Sequence, residues 1–190
     1  MSRRQVIGFL VVLSLIGAGL VLRGHGGSAG DSRLPGLRRT AALQPCPAGL
    51  GPELPDITLP CLGGGKDVAV RAAKPARPTL VNIWGSWCRP CVAEVPDLVR
   101  FSDRAAGRVD VVGIDTEDDP ADALTFAAQY GMRYPSLVDD DKVVLRTVAP
   151  GPPVTLFLDA SGHVVYSHLG KFSSAAELEK LVAQHLGVTL

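Results

Sequence analysis

Residues 84–91 read Trp-Gly-Ser-Trp-Cys-Arg-Pro-Cys and say more about this chain than any other stretch. They follow the apolar run 79–84, which predicts a buried strand, and they place Cys88 and Cys91 three positions apart at the start of a helix. The positive end of a helix dipole stabilises a thiolate on the first sulfur. A thiolate beside a second thiol can attack a disulfide and then be released by its neighbour. The stretch therefore predicts a strand–helix junction that carries a redox-active cysteine pair.

Apolar spacing on both sides of the cysteine pair predicts alternating strands and helices. Upstream, 57–59 and 68–70 predict a short hairpin around three glycines. Downstream, the pattern predicts strands at 109–114, 136–138, 154–158 and 164–168, helices at 92–105, 120–130 and 174–186, and a short element at 142–148. Asp119 and Pro120 predict the start of the second helix, and Gly131 its end. This order predicts an α/β fold with a central mixed β-sheet, helices on both faces and an N-terminal β-hairpin extension.

Length and composition suit one domain with appendages. A chain of 190 residues can bury an ordinary core, which is predicted to be aliphatic because 46% of the residues are hydrophobic and only 5% aromatic. The 19 basic residues balance 19 acidic ones and lie scattered, so nothing in the composition indicates a nucleic-acid-binding surface. Two acidic runs, 117–119 and 139–141, are typical of solvated loop ends and helix caps rather than calcium loops.

Residues 1–23 have the features of a targeting or anchoring segment. Arg3 and Arg4 precede the uncharged stretch Val6–Leu22, whose length is at the lower edge of a membrane span and above the usual apolar stretch of a cleaved signal. We expect an uncleaved, single-pass transmembrane signal-anchor, with a cleaved signal peptide as the alternative. Residues 24–45, rich in Gly, Ser, Pro and Arg, predict a flexible tether, which leaves 46–190 as the folded domain.

The chain resembles the TlpA/ResA-like, membrane-anchored thioredoxins in two signatures. Residues 82–98 read Asn-Ile-Trp-Gly-Ser-Trp-Cys-Arg-Pro-Cys-Val-Ala-Glu-Val-Pro-Asp-Leu and resemble the active-site run of that family, and 153–159 resemble its second signature. The resemblance covers about 54–186. It implies a thioredoxin-like fold and a thiol–disulfide oxidoreductase on the outer side of the bacterial cytoplasmic membrane.

The resemblance also implies catalytic roles for three residues. Cys88 is expected to be the exposed nucleophile, and Cys91, one turn inward, to resolve the mixed disulfide. Glu94 lies on the same helical face as Cys91, and with a raised pKa it could exchange a proton with that thiol. Alternatively, this acid only complements the helix dipole. Asn82 stands where ordinary thioredoxins have a buried acid, which would leave Glu94 as the only nearby carboxylate.

Five further residues are expected to contact the client protein. Arg89 adds a cation beside the thiolate, which would make the disulfide a better oxidant, unless it points to solvent. Pro90 fixes φ in the first helical turn. The resemblance implies that Pro153 is cis and, with Trp87, shapes the docking groove. Pro152 departs from the family pattern, since it has no N–H to donate to a client.

Cys46 and Cys61 form a second candidate pair, 15 positions apart. In an oxidising compartment they are predicted to form a structural disulfide that ties the tether to the first hairpin, and a second redox pair is the alternative. Their spacing does not suit a zinc site, and no two histidines are spaced like ligands on one face. We therefore predict no metal and no cofactor.

By family analogy the expected activity is reduction of disulfides in exported proteins, such as apocytochrome c in cytochrome c maturation. Electrons would come from a thiol-electron carrier of the membrane, and we expect a monomer. Two alternatives stay open: a disulfide oxidase or isomerase of exported proteins, and a non-catalytic thiol or metal-binding module. A peroxidase is a poorer match, because a Cys-x-x-Cys pair favours disulfide exchange.

Overall fold

A five-stranded mixed β-sheet lies at the centre of the computed structural model, which describes residues 32–72 and 74–190. The strands of this part of the chain are β1 (Thr58–Leu59), β2 (Val68–Ala69), β3 (Thr79–Trp84), β4 (Asp110–Thr116), β5 (Ser136–Asp139), β6 (Val154–Leu158) and β7 (Val164–Leu169). Its helices are α1 (Leu34–Ala41), α2 (Arg89–Ala105), α3 (Pro120–Tyr130), α4 (Val143–Val148) and α5 (Ala175–Leu186). The predicted α/β architecture with a central mixed sheet is confirmed.

Strand β3 organises the sheet, whose order is β5-β4-β3-β6-β7. It is parallel to β4 and antiparallel to β6, and all six of its residues are buried, as expected for a central strand covered on both faces. Its register pairs Trp84 with Asp115 of β4. The carboxyl end of β3 thus delivers the chain directly into the cysteine motif.

Side chains of β3 alternate between two hydrophobic cores. Leu80 and Trp84 join a core built with helices α1, α2, α3 and α5. Val81 and Ile83 join a core covered by the β1–β2 pair and by α4. Helices therefore contribute to the cores on both faces of the sheet, as predicted.

Capping residues set the helix ends. Asp119 caps α3 by accepting the N–H of Ala121 at 2.7 Å, and the helix ends at Gly131, where φ is 69°. Helix α2 begins at Arg89, inside the cysteine motif where its start was predicted and three residues before the apolar stripe at 92–105. Cys88 is the N-cap and accepts the N–H of Cys91.

The tether prediction for 24–45 is wrong for its C-terminal part, because Leu34–Ala41 form helix α1. Leu34 and Leu37 recur at helical spacing and pack into the core that α3 also lines, and Ala41 is fully buried. Arg38 Nε donates to the carbonyl of Leu62 at 3.1 Å. The folded unit consequently extends over 33–190 rather than beginning at 46.

The signal-anchor prediction for residues 1–23 lies outside the described residues. Within 32–72 and 74–190, no helix combines the length and hydrophobicity that a bilayer crossing requires.

Candidate active site

A disulfide joins Cys88 and Cys91 at the start of α2, with their Cα atoms 5.2 Å apart. The Sγ atom of Cys88 accepts the backbone N–H of Cys91 at 3.3 Å, so the sulfur sits against the positive end of the helix. We expected an exposed Cys88, but in the disulfide form its exposed fraction is only 4%. Cys91 has no exposed surface. An incoming thiolate therefore has access to Cys88 alone.

Glu94 is buried one turn beyond Cys91, with an exposed fraction of 1%. Its Oε1 atom accepts a hydrogen bond from Asn82 Nδ2 at 2.9 Å, and Oε2 accepts the N–H of Phe172 at 3.3 Å. Burial raises the pKa of Glu94 from 4.5 to about 7, although both hydrogen bonds oppose the rise. A carboxyl with this pKa can both take up and release a proton near neutral pH.

Asn82 connects three elements around Glu94. Its Nδ2 atom also donates to Oγ1 of Thr155 at 3.0 Å, the residue that faces it across the β3–β6 pairing. From the sequence, Asn82 was noted only because ordinary thioredoxins have a buried acid at this position, and its hydrogen bonds to Glu94 and Thr155 were not predicted. They could have been expected, because Asn82 stands between two aliphatic residues of a buried strand and a buried amide requires hydrogen-bond partners.

Trp87 and Ser86 form hydrogen bonds with the end of β4 and with the loop that follows it. The indole of Trp87 is 50% exposed, and its Nε1 donates to the carbonyl of Thr116 at 3.2 Å. Asp118 accepts two hydrogen bonds from Ser86, from the backbone N–H at 2.5 Å and from Oγ at 2.9 Å. Asp118 is half-buried rather than a solvated loop end, and its carboxyl contacts the residue two positions before Cys88.

A further buried acid, Asp115, was missed because β4 was predicted to end at 114. The strand continues to Thr116 and carries Asp115 into the interior with no exposed surface. Burial, together with the charge of Asp118, raises the pKa of Asp115 to about 9. Asp139 is also buried, and as predicted it is a cap, since it accepts the N–H groups at the start of α4.

The peptide bond between Pro152 and Pro153 is cis. Pro153 is buried, and its carbonyl accepts the N–H of Gly170, just beyond β7, at 2.9 Å. Pro152 is half-buried, whereas Arg89 and Pro90 are exposed at the start of α2. The structure thus leaves Trp87, Arg89 and Pro90 free to meet a client, and their client contacts remain predictions.

A second disulfide joins Cys46 and Cys61, with their Cα atoms 6.0 Å apart. Cys61 also forms an isolated antiparallel bridge with Leu137 of β5. The bond fastens the segment that follows α1 to the edge of the sheet. All four cysteines are therefore held in disulfides in this structure.

Comparison with known proteins adds an independent observation. The family model described as Redoxin matches residues 50–184. A thiol:disulfide interchange protein DsbE homolog of Paracoccus denitrificans is 32% identical over 123 residues, which cover 64% of this chain and 66% of that protein. The thiol-disulfide oxidoreductase ResA of Bacillus thuringiensis is 27% identical over 124 residues, which cover 64% of this chain and 70% of that protein.

A solved structure has a similar fold. A secreted disulfide oxidoreductase of Mycobacterium tuberculosis, homologous to E. coli DsbE, aligns with a TM-score of 0.59 at 27% identity. The alignment covers 68% of this chain and 96% of that one. The Redoxin match contains both the 88–91 motif and the cis bond before Pro153.

Proposed function

This chain belongs to the Redoxin family and is a thiol–disulfide oxidoreductase of the DsbE/ResA type, and on that basis we propose that it reduces disulfides in exported proteins through Cys88 and Cys91. The observation that carries this proposal is the asymmetry of the pair. Cys88 retains the small exposed surface, while Cys91 is wholly buried and lies one helical turn from the buried Glu94.

In the first step, the thiolate of reduced Cys88 attacks one sulfur of a client disulfide. The client S–S bond breaks, a bond forms between Cys88 and that sulfur, and the second client sulfur leaves as a thiolate that takes a proton from water. The helix N-terminus that receives Cys88 Sγ favours its ionised form, which is the attacking species.

In the second step, Cys91 passes its proton to the carboxylate of Glu94 and attacks Cys88. The mixed disulfide breaks, and the client sulfur that was bound to Cys88 leaves as a thiolate that takes a proton from water, which completes the client dithiol. The Cys88–Cys91 bond forms, so two electrons have moved from the protein to the client. A pKa of about 7 suits Glu94 to accept that proton near neutral pH.

The proposed setting is the outer face of the cytoplasmic membrane, with residues 1–23 as the anchor. The Cys46–Cys61 disulfide supports an oxidising compartment, and one similar solved structure is of a secreted protein. Apocytochrome c is the client that the family resemblance suggests, and a thiol-electron carrier of the membrane would restore the reduced pair.

Trapping with a model client tests this scheme. Reduced Cys91→Ser protein is mixed with a peptide disulfide, with Cys88→Ser as the matched control. We expect a stable mixed disulfide through Cys88 in the first variant and none in the second. Equal trapping by both variants, or trapping by neither, would overturn the proposed roles.

Disulfide formation is the second candidate function, and the exposed cation of Arg89 directly after Cys88 favours it. The reduction potential of the pair separates the two candidates. A value near that of thioredoxin, about −270 mV, supports reduction, whereas a value near that of DsbA, about −120 mV, supports oxidation.

A further inference from the structure

Two separate parts of the fold hold the carboxyl oxygens of Glu94. Oε1 accepts a hydrogen bond from Asn82, whose amide also donates to Thr155 of β6. Oε2 accepts the backbone N–H of Phe172 at 3.3 Å. Asn82 and Thr155 lie on paired strands inside the sheet, whereas Phe172 belongs to the turn between β7 and α5. The bond to Oε2 therefore depends on how this turn is held.

His168 of β7 lies where these two parts meet. It faces Thr155 across the β6–β7 pairing, and side chains paired in this way point to the same face of a sheet. Its ring also stacks on that of Phe172, with the centroids 4.3 Å apart and the planes inclined by 11°. One side chain therefore borders both the residue that binds Asn82 and the residue that binds Oε2 of Glu94.

Packing, rather than a hydrogen bond, holds the imidazole of His168 in this place. Its Nε2 atom is removed from water and has no hydrogen-bond partner among the described residues. A buried nitrogen without a partner is unfavourable, so the contact between the two ring faces has to outweigh this cost. Phe172 is only 2% exposed, whereas His168 is half-buried, so the imidazole forms part of the cover over the Phe172 ring.

The turn after β7 is closed by this stack. Gly170 donates to the carbonyl of Pro153 and has a φ of 86°, a conformation that glycine adopts without strain. Two residues later, the ring of Phe172 returns to His168, four positions back in the sequence. Ser173 is then bound to the first turn of α5. Between these two attached ends, the ring contact fixes the Phe172 N–H against the sheet.

We propose that His168 is a positioning residue for the proton transfer between Cys91 and Glu94. By stacking on Phe172 it keeps the Phe172 N–H on Oε2 of Glu94. This bond favours the carboxylate, which is the form that accepts the proton of Cys91. His168 acts through Phe172 rather than on the sulfurs. This role rests on the proposed function, because it serves the second step of that scheme.

The test has to separate the stack from electrostatic effects. The titratable groups around His168 and Glu94 come from the turn, from α2, from α5 and from the segment before β5: they are Lys171, Asp97, Glu177 and Tyr134. Both His168→Ala and His168→Phe leave these groups in place, and both remove the imidazole and any charge on it. A difference between the two variants therefore reports the ring contact.

Carbon-13 NMR of the oxidised full chain tests the positioning. In His168→Ala, the titration step of the Glu94 Cδ resonance should move to higher pH by on the order of one unit, because the carboxylate loses a hydrogen bond. His168→Phe keeps a flat ring on Phe172 and should return the step close to its wild-type position. His185→Ala is the matched control, since His185 stacks in the same way on Tyr166 rather than on Phe172. It should leave the Glu94 step unchanged.

Single-turnover kinetics with a peptide disulfide test the effect on the second step, with acid quench and mass spectrometry to follow the mixed disulfide at Cys88. If the pKa of Glu94 rises by about one from about 7, the carboxylate fraction at pH 7 falls from about one half to about one eleventh. The mixed disulfide of His168→Ala should then decay about fivefold more slowly than that of the wild type. Its formation should be unchanged. At pH 9, where both proteins carry the carboxylate, the decay rates should be nearly equal.

An unmoved Glu94 step in His168→Ala would overturn the proposal, as would an equal move in His185→Ala or the absence of recovery in His168→Phe. Decay slowed equally at pH 7 and pH 9 would also overturn it, because the lost bond matters only where the carboxyl is protonated. Failure of the proposed function looks different. In that case the wild type itself would form no mixed disulfide with the peptide, whereas the NMR titration would still report whether His168 positions the bond to Glu94.

Discussion

The stability of Glu94→Gln relative to that of the wild type is expected to increase as the pH rises. Burial raises the pKa of Glu94 in the folded protein from 4.5 to about 7, so the folded state binds this proton more tightly than the unfolded chain does. Below pH 4.5 the wild type therefore keeps all of the stabilisation that this proton provides. The stabilisation is lost between pH 4.5 and 7, and no further loss occurs above pH 7. Glutamine does not titrate and avoids this loss.

The magnitude follows from the same pKa. A tenfold difference in proton affinity is worth about 1.36 kcal/mol, so a rise from 4.5 to about 7 amounts to about 3 kcal/mol. We expect the free energy of unfolding of Glu94→Gln, minus that of the wild type, to increase by this amount between pH 4 and pH 8. The comparison at pH 4 removes any constant effect of the altered bonds to Asn82 and Phe172.

Urea unfolding of the oxidised proteins at pH 4, 5, 6, 7 and 8 measures this difference, because the closed disulfide keeps the cysteines from titrating. Glu177→Gln is the matched control. Glu177 accepts hydrogen bonds from Ser173 that lower its pKa, so its difference should change in the opposite direction and fall as the pH rises from 4 to 5. A Glu94→Gln difference that stays constant within about 0.5 kcal/mol from pH 4 to 8 would refute the reasoning.

Three other substitutions have defined outcomes. Replacing both Cys46 and Cys61 by Ser should lower the free energy of unfolding by about 3 kcal/mol for this 15-residue separation, with peptide exchange unchanged; a loss of exchange would instead indicate a redox role. Asn82→Leu removes a donor to Glu94 and should raise the pKa of that carboxyl further, measured by its carbon-13 titration; an unchanged pKa would contradict a hydrogen bond between Asn82 and Glu94. Gly85→Ala forces the neighbouring indole to move and should slow peptide exchange about tenfold while the circular dichroism spectrum is retained; exchange at the wild-type rate would show that the close approach is dispensable.

Much of the fold could be predicted because local signals agreed with the tertiary structure. Asp119, Pro120 and Gly131 set the limits of α3, since capping is a local property that few long-range contacts can override. The central strand at 79–84 was equally clear because its position in the sheet requires burial on both faces.

Helix α1 could not be recognised from composition alone. Gly, Pro and Arg around 33–39 indicate a tether, and the apolar spacing of Leu34, Leu37 and Ala41 is too short to stand out. Short helices are marginal by themselves and depend on packing. In this chain that packing comes from the core shared with α3 and from the bond between Arg38 and Leu62, which are distant in sequence.

The cysteines of the candidate site could be found from their spacing, but the groups around them could not. Asp115 and Asp118 lie among several acids of similar appearance, and only the register of β4 buries the first and brings the second to Ser86. The hydrogen bonds of Asn82 to Glu94 and Thr155 likewise join three elements that are remote in sequence. Such partners depend on tertiary geometry rather than on local pattern.

Site-resolved alkylation of the reduced protein tests most directly whether Cys88 is the reactive sulfur. Iodoacetamide is added at pH 7, and mass spectrometry follows the labelling of Cys88 and Cys91 beside that of a free model thiol. The helix N-terminus and the residual exposure predict that Cys88 is labelled faster than the model thiol and well before Cys91. Labelling of Cys88 no faster than the model thiol, or no faster than Cys91, would contradict the account.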